Sequence, residues 1–150
     1  MCVDPVWLGP LLEQVVPEVL RGTDGQPVRP QSAVPGSPAG QPAGTAAQVL
    51  LHLAGGATLQ VGLQLSPVLA RRLARAAGEG VTAADIAAEW VNLAGGRLAM
   101  RLAEAGVRGR LDLPAAAAPT GHAAAPAWAL RRLWTCDGLP LVTVVEAFNA

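Results

Sequence analysis

An α+β fold, with an antiparallel sheet of about five strands packed against two to three helices, is what the 150-residue sequence predicts. Three observations carry that reading. A capped run of helical periodicity extends from Thr82 to about Ala105, residues 58–65 alternate strictly between apolar and polar, and Asp137-Gly138 separates two apolar runs near the C-terminus. Helical and strand patterns fall in segregated groups, in the order α-β-β-α-α-β-β-β, whereas a parallel sheet needs strands and helices that alternate.

Asp4 followed by Pro5 is an N-cap and first-turn proline, and the apolar-rich segment they open runs to Leu20 and stops at Gly22. Pro17 lies inside this helix and removes a backbone hydrogen bond, so a kink or two short pieces are expected there. Residues 23–45 are rich in Pro, Gly, Ser, Gln and Ala, with few large apolar groups to offset the entropy of ordering them. A mobile loop is expected, inside a single domain spanning 1–150 because too little chain precedes it to fold alone.

Residues 48–53, Gly55-Gly56 and residues 58–65 form a half-buried hairpin, since Leu59, Val61, Leu63 and Leu65 alternate with Thr58, Gln60, Gly62 and Gln64. Ser66-Pro67 caps a second helix carrying Leu69, Leu73 and Ala76, which ends at residues 78–80. Thr82 opens the longest helix with Asp85 in the capping-box position, and Gly106 closes it. Residues 107–113 read as a strand ended by Pro114, the Ala/Pro stretch to 126 as a loop, and residues 128–136 and 139–148 as the last hairpin.

Half the residues are apolar and 15% are charged, which excludes a disordered polyelectrolyte and predicts a buried core. Eleven arginines, with no lysine, balance eleven acids. No net field draws the chain to nucleic acid or to an anionic membrane surface. Cys2 and Cys136 are in no metal-type spacing and give no disulfide framework. Without a signal-type N-terminus or an apolar run near ~20 residues, a reduced, cytoplasmic location is expected.

On the long helix Asp85, Glu89, Asn92 and Gly96 stand at i, i+4, i+7 and i+11, within roughly 60° of one another around the axis. Ile86, Trp90, Val91, Leu93 and Ala94 are apolar and are expected to pack inward, leaving one polar stripe. Asp85 is accounted for as a capping acid, which leaves Glu89 and Asn92 as the candidate pair. An amide can orient a water by donating and accepting hydrogen bonds, and a carboxylate can dock a partner's cation.

Asp85-x-x-x-Glu89-x-x-Asn92, followed some twenty residues later by a proline, resembles the signature of the CheC/CheX/FliY chemotaxis phosphatases. The surrounding run ADIAAEWVNLAGG is similar to that family's motif helix, and the order of elements resembles its fold, so that the resemblance covers nearly the whole chain. The resemblance implies an aspartyl-phosphate phosphatase acting on a phosphorylated CheY-like response regulator receiver. Glu89 would dock the receiver's lysine and Asn92 would orient the attacking water. It implies no cofactor of the chain's own, Mg²⁺ being held by the partner receiver. One motif rather than two resembles the CheX branch and implies a homodimer formed through the sheet; Glu13 and Glu18 on the first helix have no Asn three residues on. Ala88, where the family often has Gly, and Pro114, one position short of the commonest spacing, are departures. They motivate the alternative of a non-catalytic receiver-binding or dimerisation adaptor.

His52 and His122 have no nucleophile or acid at a catalytic spacing and are assigned structural roles. Trp90, Trp128 and Trp134 are expected as core or dimer anchors. Arg71, Arg72, Arg75, Arg97 and Arg101 are solvated helix faces, with Arg97 and Arg101 available to an acidic regulator surface. Gly95-Gly96 in mid-helix costs roughly 1 kcal/mol per residue relative to Ala, so either close approach of another helix or of the partner compensates, or the helix frays or kinks there.

Overall fold

Helix α1 spans Pro5–Val19 in the computed structural model, which describes residues 3–31, 44–116 and 125–149. Asp4 is its N-cap, the carboxylate accepting from Trp7 N at 2.8 Å. The helix does not divide at Pro17. That residue falls in the last turn, where its missing N–H deprives only Glu13 O of its usual partner, and the helix continues past it, with Leu20 N donating to Val16 O at 2.9 Å.

The chain then enters a two-residue strand, β1 (Arg29–Pro30), inside the stretch expected to be loop. The bulk of that stretch lies outside the described residues. Strand β2 (Thr45–Leu53) starts three residues earlier than the alternation indicated, and β3 is Thr58–Leu65 as expected. Helix α2 (Pro67–Ala77) is capped by Ser66, which accepts from Leu69 N at 3.3 Å, and it ends at Gly78. Helix α3 is Ala83–Glu104.

After α3 the expected seven-residue strand is only β4 (Gly109–Leu111), with β5 (Ala115–Ala116) beyond it. Pro114, without an N–H, interrupts the pairing with β2. Strands β6 (Trp128–Cys136) and β7 (Leu139–Phe148) are joined by Asp137 and Gly138, with φ 51° and 75°. Both residues of this two-residue turn are left-handed, which suits the right-handed twist of the strands and explains the Asp-Gly pair.

All pairs are antiparallel, and the sheet order is β1-β6-β7-β3-β2-β4 with β5 also paired to β2. The fold class is therefore the α+β layer expected, with seven strands rather than about five, because two-residue strands leave no periodicity to read. Register Val61↔Val145 and Leu63↔Thr143 aligns the inward residues of β3 and β7, and Trp134↔Leu141 does so for β6 and β7.

The helices cover one face of this sheet. Leu8, Leu12 and Val15 of α1, Leu69 and Leu73 of α2, and Ile86, Val91 and Leu98 of α3 join Val49, Leu51, Val61, Val145 and Trp134 in one buried cluster. Trp134 is fully buried and its Nε1 donates to Thr143 Oγ1 at 2.8 Å, so the ring sits in the core without stranding its N–H. Trp90 is likewise buried and Trp128 half-buried. No helix among the described residues is long and apolar enough to cross a membrane.

Candidate functional site

The site is a ridge on α3, and its rigidity begins at the cap. Asp85 N donates to Thr82 Oγ1 at 3.1 Å and Thr82 N to Asp85 Oδ2 at 2.9 Å, closing the capping box. The backbone N–H of Thr82, then its hydroxyl, hold the Asp85 carboxyl below the usual carboxylate range. Asp85 is thereby committed to fixing the helix start.

Further along, α3 presses against the sheet. A Cβ on Gly95 would lie 2.7 Å from Val49 Cγ1 and 3.3 Å from Leu111 Cδ1, so only glycine permits this approach to β2 and β4. Gly96 differs: a Cβ there meets nothing within 4 Å. The close approach is thus to the sheet rather than to another helix or a partner, and it exists at Gly95 alone. With Ile86, Ala87, Trp90, Val91, Ala94 and Leu98 buried on the same side, the opposite side is fixed outward.

That outward side carries Glu89 and Asn92, both exposed. One helical turn separates them, a rise of about 4.5 Å. Neither makes a hydrogen bond or ion pair among the described residues, so both side chains are free to engage a partner. Ala88, at the departure from the family pattern, is half-buried beside them.

Leu93 does not pack inward as its apolarity suggested. It is 42% exposed, and Met100, seven residues on, is 53% exposed. Leu93 adjoins the Glu89/Asn92 pair, and Met100 stands about two turns farther along the same helix. Sequence reasoning missed these two residues, although Leu93 stands four residues after Glu89 and so on the same side of the helix.

Arg97 and Arg101 are not available cations. Glu18 of α1 takes both, at 3.7 Å from Arg97 Nη1 and 3.0 Å from Arg101 Nη2, and Glu104 lies 3.6 Å from Arg101. These contacts, the hydrogen bond from Glu18 first, raise the Arg101 pKa. Glu13 faces Arg132 at 3.8 Å. The two acids of α1 are thus occupied, and no second acid–amide pair forms there.

The remaining chemistry-bearing residues lie elsewhere. His52 is held at both ring nitrogens, Nε2 by Asp112 Oδ2 at 2.7 Å and Nδ1 by Thr58 Oγ1 at 3.2 Å, which ties β2 to β3 and to the residue that follows β4. The His52 hydrogen bond is the main reason the Asp112 carboxyl is held below its ordinary range; Arg110, at 3.2 Å, adds to it. Cys136 is buried and its thiol is pushed up to about 12, chiefly by burial. His122, Cys2 and Pro119 lie outside the described residues. Among the described residues no three His, Cys, Asp or Glu side chains cluster to hold a metal ion.

Fold and ridge together define a class: an antiparallel sheet with helices on one face, the longest presenting an acid and an amide to solvent. Solved structures similar to this fold include chemotaxis proteins. The chain is similar to CheX from Vibrio vulnificus (13% identity, TM-score 0.65, covering 91% of this chain and 96% of that one). It is similar also to a CheC-like superfamily protein from Shewanella sp. PV-4 (12%, TM-score 0.67, 98% and 100%). A third is the complex of CheX with CheY, BeF3 and Mg²⁺ from Borrelia burgdorferi (14%, TM-score 0.55, 97% and 99%). The fold is therefore that of the CheX and CheC-like chemotaxis proteins. No family model matches the sequence, and no curated protein matches it.

Proposed function

We propose that this chain is a protein aspartyl-phosphate phosphatase that acts on a CheY-like response regulator receiver. The observation that carries the reading is the pairing of an exposed, unpartnered carboxylate and amide, Glu89 and Asn92, on a helix fixed at its cap and against its sheet. Support comes from the fold, shared with a CheX crystallised in complex with CheY.

Hydrolysis of an acyl phosphate asks little covalent work of the protein. A water must be placed in line with the phosphorus, and the partner must be held while it attacks. Asn92 supplies an amide oxygen to accept from that water and an NH₂ to donate to a phosphoryl oxygen. Glu89 provides a fixed negative charge for a lysine of the receiver. Mg²⁺ belongs to the receiver's acidic site and the chain brings no cofactor. Leu93 and Met100 extend the contact by giving the docked surface apolar area to cover. Homodimerisation through the open face of the sheet and a cytoplasmic setting complete the proposal.

Incubation of a phosphorylated CheY-type receiver with the purified protein tests it directly. Faster phosphate loss with the wild type and none beyond the spontaneous rate with Asn92→Ala is the expected result. Capture of the receiver with no acceleration by the wild type would replace the phosphatase by a non-catalytic adaptor, for which Ala88 and Pro114 are the sequence reasons.

A further inference from the structure

Helix α2 turns Arg71, Arg72 and Arg75 to solvent, with Val68 exposed beside them, and these four residues line a shallow depression. The helix, PVLARRLARAA, holds no acid. Among the described residues no carboxylate forms an ion pair with any of the three. Arg72 Nη1 donates to the backbone oxygen of Asp137 at 3.4 Å, which braces one guanidinium against the β6–β7 turn. The Asp137 carboxylate itself accepts from Thr23 N and Oγ1, at 3.2 and 2.8 Å. Arg97 and Arg101 are paired with Glu18, Arg110 with Asp112 and Arg132 with Glu13, and the arginines outside α2 that form no ion pair among the described residues, Arg21, Arg29, Arg108 and Arg131, are not grouped on one helix. In a chain whose charges balance overall, α2 is a patch of one sign.

We propose that this row is a docking surface for an acidic segment of a partner protein, separate from the Glu89/Asn92 ridge. The depression is lined by one helix and has no opposing wall, so a small anion bound there would stay largely hydrated and screened. An extended acidic segment instead meets several guanidinium groups together, each able to bond a carboxylate through two N–H donors. Arg71 and Arg75 are one turn apart, about 6 Å along the axis. Alternate residues of an extended strand repeat at nearly the same distance, about 6.8 Å. Three cations are too few to track a nucleic-acid backbone, and Val68 alone offers too little apolar surface to enter a lipid layer.

Fluorescence anisotropy with a labelled peptide of alternating Glu and Thr, titrated with the full chain, tests the assignment. Saturable binding is expected at low ionic strength, weakening as salt rises. The Arg71→Glu/Arg75→Glu double variant should bind roughly tenfold or more weakly, and Arg131→Glu, an exposed arginine on β6, as tightly as wild type. Circular dichroism confirms that each variant is folded. Absence of saturable binding by the wild type, or equal losses in the double variant and Arg131→Glu, overturns the proposal. Tighter capture by the same arginines of a single-stranded oligonucleotide, or of phosphatidylserine vesicles, overturns it in favour of those occupants.

Discussion

Asn92 and Glu89 differ in what their loss should do. Each is exposed and unpartnered, so substitution should leave stability within about 0.5 kcal/mol of wild type. The pair was legible in the sequence because a helical stripe needs only spacing and a cap to be placed, and both survive without tertiary information. Leu93 was misplaced for the converse reason: apolarity indicates burial on average, but its angular position beside Glu89 takes precedence once the buried side is fixed by Ile86, Trp90 and Val91. Cys136 carries a separate expectation. With its thiol buried and pushed up to about 12, it should escape alkylation in the native protein and be labelled fully in denaturant, as read by peptide mass spectrometry.

At the scale of elements, the two adjacent glycines of α3 should respond oppositely. Gly95→Ala forces a methyl toward Val49 and Leu111 and should destabilise by roughly 1–3 kcal/mol. Gly96→Ala fills open space and should stabilise by about 0.5–1 kcal/mol, both read by denaturant melts. The cap has a pH signature. Asp85 is held below its ordinary carboxylate range, so its contribution is present above the unfolded-state value near 4 and is lost as pH falls through the lower folded value. Asp85→Asn should therefore flatten the acid limb of thermal stability relative to wild type, and a change confined to alkaline pH would contradict the assignment. The sequence marks helix ends well because Thr82, Ser66 and Gly78 act locally. It is silent on β1 and β5, which exist only because β6 and β2 offer them partners. It overextends β4, where Asp112 turns its side chain to His52.

For the whole molecule, the sequence yields the layer but not the strand order, which depends on long-range pairings such as β3 with β7 across the helical segment. That order leaves one sheet face without helices, the side bearing Gln48, Gln60, Gln64, Val142, Val144 and Glu146. The proposed homodimer would use it. Light scattering should report a dimer, and Val144→Glu should shift it toward monomer by placing a charge beside Glu146 on that face. The functional account stands on the exposed ridge of α3 acting on a partner's phosphoryl group. Steady-state dephosphorylation of a CheY-type receiver tests this most directly. Asn92→Ala should lower kcat by roughly 10²-fold or more with KM little changed, and Glu89→Ala should chiefly raise KM. Wild-type rates retained by both variants would contradict the account.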